Sequence, residues 1–258
     1  MPGGQELLQR RARWALDDRD ASAAMQWLDE FPVGASRRTV ALRMRFRAAR
    51  QAGESRMALE TSRLLTKHRA FSHAAGVSIA QGLALEMVRK THDVVQLTRV
   101  WECLEKAEQA IPEVACAAAD RLFQLGGDVN ISRQWVLPVW DEMVRVSNTL
   151  TLTQRTRLAR VLERSFGIAG DVPDAVWLSR IEVAQMNNPR DAVLQYLAGM
   201  VCMRLNLWGK AQQLLKQSLV TLNQSELTRD AWVALARMAE LRQDEKAAAD
   251  AYREAAKR

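Results

Sequence analysis

The chain has 258 residues, 48% of them hydrophobic and 26% charged, a balance that supports a large core and excludes a disordered polymer. Its formal charge of +7 points to acidic partners such as nucleic acid, anionic lipid or carboxylate-bearing ligands, or else to a solvated arginine-rich surface. Three cysteines at scattered spacings, Cys103, Cys116 and Cys202, exclude a disulfide framework and a Cys-type zinc site. No leader-like apolar stretch follows Met1, and no window approaches the roughly 18 apolar residues of a membrane span, so a soluble chain in a reducing compartment is expected.

Apolar periodicity and breaker residues divide the sequence into about fourteen helices with mostly short connections, and no strand-like alternation competes. They fall near 5–17, 20–31, 36–52, 54–68, 72–90, 92–110, 113–126, 131–147, 151–167, 171–186, 190–206, 208–223, 226–242 and 244–257. Paired, they make about seven units of around 37 residues. The small residue opening each second helix sets the phase: Ala24 and Ala58 near one end, Ala211 and Ala248 near the other. An insertion at Asn223-Gln224-Ser225 lengthens the last spacing. Between residues 70 and 188 the phase weakens, with Gly126-Gly127, Pro138, Gly167, Gly170 and Pro173 as interruptions. Pro138, flanked by Trp135 and Trp140, is expected to kink or restart its helix. The eight tryptophans are expected mostly as core plugs between helices.

In the last pair, Trp232, Leu235 and Ala236 share one helix face and Ala248, Tyr252 and Ala255 share the next, with small residues where two axes must approach. This spacing resembles the tetratricopeptide pattern W-x₂-L-G … A-x₃-F, with Ala for Gly and Tyr for Phe. The expected fold is all-α: a right-handed α-solenoid of about seven degenerate tetratricopeptide-like hairpins over 1–258. Regular repeats are expected at 1–69 and 189–258, and degenerate hairpins at 70–188.

Asn187-Asn188-Pro189, Trp208 through Leu219, Ala231-Trp232 with Leu235-Ala236, and Ala247-Ala248-Ala249 are similar to the C-terminal region of the HemY-type tetratricopeptide proteins of proteobacteria. The resemblance implies a non-catalytic interaction scaffold tied to a late step of protohaem synthesis, with haem-biosynthesis enzymes among its partners. It also implies an inner-membrane anchor preceding a repeat portion on the cytoplasmic side. A general peptide-binding adaptor and a porphyrin or haem carrier are the alternatives. A flavin-dependent oxidase is excluded, because no G-x-G-x-x-G follows a strand.

No catalytic constellation is legible, and neither H-E-x-x-H, paired C-x-x-C nor a P-loop occurs. His68, His73 and His92 are the only histidines and are read as near one helical junction, where they are candidate haem ligands or ordinary helix-end histidines. No resident cofactor or metal is otherwise expected. The tetratricopeptide resemblance implies instead a groove lined by the first helix of each pair, at its second, fifth, ninth and twelfth positions. Counting back from Ala58 places Val40, Arg43, Arg47 and Arg50 there; from Ala24, Glu6, Gln9, Arg13 and Leu16. Arg43, Arg47 and Arg50 form one stripe. Either it meets an anion such as an acidic peptide, a carboxylate or porphyrin propionates, or acids on neighbouring helices relieve it. From Ala211 the lining is Val193, Tyr196, Met200 and Met203, an apolar strip that is either open groove or, if the phase slips by one residue, core; from Ala248 it is Asp230, Val233, Arg237 and Glu240. Nucleic acid ranks below protein as a partner, since the few aromatics sit at packing positions.

Overall fold

The computed structural model describes residues 2–145, 149–166, 175–222 and 226–257. Among them the chain is all-helical, with sixteen α-helices and no strand. In order these are α1 (Pro2–Asp17), α2 (Ala21–Asp29), α3 (Val33–Ser36), α4 (Thr39–Ala52), α5 (Ser55–Lys67), α6 (His73–Arg89), α7 (Val94–Cys103) and α8 (Lys106–Gln109). They continue with α9 (Pro112–Gln124), α10 (Val129–Arg145), α11 (Leu152–Ser165), α12 (Ala175–Asn187), α13 (Ala192–Arg204), α14 (Trp208–Thr221), α15 (Glu226–Leu241) and α16 (Glu245–Ala256). No helix among the described residues is long and apolar enough to cross a membrane. Two compact units divide the chain, Met1–Arg121 and Leu122–Arg258.

In the first unit α1 packs on α2, both pack on α4, α4 on α5, and α5 on α6, which also meets α7 and α8. Each new hairpin thus covers the apolar side of the one before it. Ala12, Leu16, Ala24, Leu28, Met44 and Ala48 close one core, and Ala49, Ala58, Leu59, Leu83, Ala84 and Met87 close the next. In the second unit α13 pairs with α14 and α15 with α16, while α13 also meets α11, α12 and α15.

One backbone turn occurs at six places among the described residues, Arg69 and Gly126 included, and at four hairpins small residues flank it. Arg19, Gly53, Asn206 and Gln243 all adopt φ of 60–73°. Each lies four residues after a buried small residue (Ala15, Ala49, Cys202, Ala239) and five before another (Ala24, Ala58, Ala211, Ala248). After each, the next N–H reaches back to the carbonyl of the first small residue: Asp20 to Ala15, Glu54 to Ala49, Leu207 to Cys202, Asp244 to Ala239, at 2.8–3.0 Å. This is the six-to-one bond of a Schellman helix end, followed at once by the cap of the next helix. Asp20 and Asp244 accept from Ala23 and Ala247 N–H, satisfying an open donor in α2 and α16. The small residues let the two axes close on the turn. The Ala register expected from the sequence is therefore buried at every position.

Three expectations are corrected. The helix expected over 92–110 breaks at Leu104, which is extended and buried. The break is held by Glu108, whose carboxylate accepts from the Glu105 N–H and from Arg63. Pro138 neither ends nor restarts α10, which runs through it. Trp135, Val136, Val139 and Trp140 are buried around it, and that packing outweighs one missing helix bond, Pro138 itself being exposed. Of the tryptophans, Trp135, Trp140 and Trp177 are buried, with Trp140 and Trp177 edge to face at 5.7 Å. Trp14 and Trp208 are exposed, and Trp27, Trp101 and Trp232 half-buried. Gly167, Gly170, Pro173 and Asn223-Gln224-Ser225 lie outside the described residues.

Candidate functional site

In the first unit the arginine stripe lies along α4, in a stretch from Phe31 to Gly53 that contains six arginines and no acid. The helix leans its stripe to two sides. Arg47 pairs with Asp17 at 3.1 Å and, with Gln51, donates to the Leu16 carbonyl at the end of α1. Arg50 turns to α6 and meets Glu86 at 2.6 Å. Arg43 donates to the Ala70 carbonyl in the α5–α6 turn. Arg47 and Arg50 thus meet acids on neighbouring helices and Arg43 a backbone carbonyl, while all three guanidinium-bearing residues stay exposed. Arg13 on α1 is exposed and has no ion-pair partner among the described residues, while Leu16, expected beside it on the groove, is buried.

Between α4 and α6 runs a groove of about 630 Å³, lined by Phe46, Arg50, Ile79, Leu83, Glu86 and Lys90, with Ser78, Gly82 and Arg89 completing its wall. Its floor is apolar. Gly82 is exposed in the groove wall, and a Cβ there would meet nothing within 4 Å. At one end Glu86 is the hub: its carboxylate accepts from Arg50 at 2.6 Å, Ser55 at 2.8 Å and Lys90 at 2.9 Å. Lys90 also donates to the Gly53 carbonyl of the hairpin turn. The Lys90, Arg50 and Ser55 donors together hold the Glu86 carboxyl down to about 2. Arg89 bonds only its own helix, at the Leu85 carbonyl, and pairs with no acid among the described residues. The groove lining therefore carries three cations against one carboxylate.

In the second unit the same register positions are closed. Tyr196 and Met200 are buried and Met203 half-buried, so the apolar strip lies in the core and not on an open groove, the second of its two readings from sequence. The reason is that α11, α12, α14 and α15 all pack on α13. Arg160 of α11 binds both Glu226 and Asp230 of α15, an ionic roof linking two of these helices, and Tyr196 donates to Glu163 of α11. Burial pushes the Glu163 carboxyl up, against the pull of the Tyr196 hydrogen bond, and pushes the Tyr196 phenol up further. Asp230 is half-buried in this bridge, and Arg237 and Glu240 are exposed. Elsewhere in this unit, Trp232, Leu235 and Ala239 floor a cleft of about 470 Å³ between α14 and α16.

The three histidines do not converge as a ligand set. His68 caps the end of α5, His73 begins α6 and His92 follows its far end. The 17-residue α6 begins at His73 and ends just before His92, a rise of about 25 Å between them, far beyond what one porphyrin iron can share. All three are exposed. Among the described residues no group of His, Cys, Asp or Glu is placed to hold a metal ion. His73 instead borders a small cavity of about 210 Å³ whose wall includes the Arg63–Glu108 pair, with Gly76, Ala80 and Ile111 as its apolar part.

The sequence missed Glu86 and Arg89, whose place in the groove follows from α6 lying against the α4–α5 hairpin. No protein family matches the chain, and no curated protein does.

Proposed function

We propose that this chain is a non-catalytic interaction scaffold, a right-handed α-solenoid of about seven degenerate tetratricopeptide-like hairpins, whose first unit holds an acidic segment of a partner protein. The observation that carries this reading is the α4–α6 groove, with an open apolar floor at Gly82 and a rim bearing Arg50, Arg89 and Lys90. Guanidinium forks select carboxylates by geometry as well as charge, and apolar floor residues take the side chains between them. The four identical turns, each with a buried small residue on either side, support the repeat architecture.

On the HemY-type resemblance, we take the partners to be enzymes of a late protohaem step, with this chain as the repeat part of a membrane-anchored protein. Crosslinking the full-length protein in cells tests this. Capture of ferrochelatase or a porphyrinogen-oxidising enzyme, lost in Arg43→Ala/Arg50→Ala, is the expected result. Capture of unrelated clients would leave a general adaptor. A stoichiometric absorbance change on titration with haem, unaffected by the arginine substitutions, would replace the scaffold by a porphyrin carrier.

A further inference from the structure

We propose that Glu86 is an intramolecular stand-in for the partner's carboxylate, so that the basic end of the α4–α6 groove is self-occupied and an acidic peptide must displace the Glu86 side chain to bind. The inference rests on the acidic-segment reading above and adds how that site is regulated.

Two ion pairs in the first unit differ in exposure and in what they hold. Arg63 and Glu108 form a buried pair, with side chains 24% and 8% exposed, and Glu108 also takes a backbone N–H that shapes the α7–α8 corner. That pair is structural. Arg50 and Glu86 pair at the mouth of the groove instead, 46% and 29% exposed, with Lys90 55% exposed beside them. Glu86 there gathers a guanidinium, an ammonium and a hydroxyl, the donor set that an incoming carboxylate would need. It projects from the helix that forms one wall, next to the vacant space over Gly82. Arg89, with no acid partner among the described residues, is left to make first contact with a second carboxylate of the same ligand.

A tethered competitor acts at high effective concentration and lowers apparent affinity by the fraction of time the donors are free. Removing its charge while keeping its shape therefore tightens binding. This is opposite to what removal of a contact residue does.

The test is fluorescence anisotropy of the full chain with a fluorescein-labelled peptide of alternating glutamate and leucine bearing a free C-terminal carboxylate. Glu86→Gln is expected to bind it about tenfold more tightly than the unmodified protein. Arg50→Gln is expected to bind more weakly, and the double variant no more tightly than Arg50→Gln. Equal or weaker binding by Glu86→Gln, with Arg50 still required, would overturn self-occupation while leaving the groove as an acidic-segment site. Tightening that persists in the double variant would also overturn it, showing a general charge effect. No binding by any version removes the acidic-segment reading itself and this inference with it. A second measurement on the unmodified protein guards against misfolding of the variant: saturating peptide should return the Glu86 carboxyl titration, followed by NMR, toward the ordinary carboxylate range, and an unchanged titration would contradict displacement.

Discussion

Tyr196 on α13 donates its phenolic hydrogen to Glu163 on α11 at 2.8 Å, from a side chain with no exposed surface. Burial and the adjacent carboxylate both oppose phenolate formation. The chain has two tyrosines, and the other, Tyr252, is exposed. An alkaline spectrophotometric titration should therefore show one phenolate forming in the folded protein and the second only with loss of helical circular dichroism. Reversible ionisation of both in the folded state would contradict the closed roof over α13.

Glu163 gives that roof a pH signature. Its folded carboxyl is pushed above the ordinary 4.5 by burial, so the folded state holds more protons than the unfolded one above that pH. Stability from this group is full below the ordinary value and falls as pH rises through the folded one. Glu163→Gln should remove that fall and unfold at an equal or higher temperature at neutral pH. A lower midpoint in thermal unfolding at neutral pH would show that the ionised form is the one the site favours.

Glu86 has the opposite sign. Its folded value is depressed to about 2 from 4.5, so its contribution is present above the unfolded value and is lost as pH falls through the folded one. Urea unfolding between about pH 4.5 and 2 should show the unmodified protein losing stability more steeply than Glu86→Gln, with the two curves converging at the acid end. Parallel curves would mean that the Lys90, Arg50 and Ser55 bonds do not persist in solution.

Two mid-helix glycines separate helix propensity from packing. A Cβ at Gly82 meets nothing within 4 Å, so Gly82→Ala should stabilise by about 0.5–1 kcal/mol. At Gly199 the same atom would lie 2.8 Å from Leu215 Cγ and 3.3 Å from the Leu215 backbone nitrogen. The side chain can swing aside but the backbone cannot, and overpacking of about 1–3 kcal/mol outweighs the propensity gain. Chemical denaturation of the two variants should move their midpoints in opposite directions.

Much of the fold was legible because it depends on local pattern. Ala24, Ala58, Ala211 and Ala248 announce helix crossings by size alone, and all four are buried where the phase puts them. The helix break at Leu104 was hidden, since it depends on Arg63 some forty residues earlier. The groove was half legible. Spacing on α4 revealed the arginine stripe, but its relief came from Asp17 on α1 and Glu86 on α6, which no single-helix pattern brings near. Tyr196 and Met200 occupy the register of Arg43 and Arg47 and are buried because α11 and α15, far apart in sequence, both pack on α13. The expected helix boundaries fall at all four hairpin turns, but their shared geometry is unmarked in the sequence, since only one of the four uses glycine at the left-handed position, which the other three fill with Arg, Asn and Gln.

Those turns also make the hairpin separable from its place in the chain. Arg19 and Gly53 are 34 residues apart and share one backbone geometry, so removal of residues 20–53 would join α1 to α5 through a turn of the same shape, with Ala15 and Ala58 again facing across it. A gene that gains or loses this length in frame changes the number of hairpins while leaving each junction intact. Arg43, Arg47 and Arg50 lie within the excised stretch while Glu86, Arg89 and Lys90 do not, so one such event removes or repeats the α4 wall of the groove and leaves its α6 wall as it was.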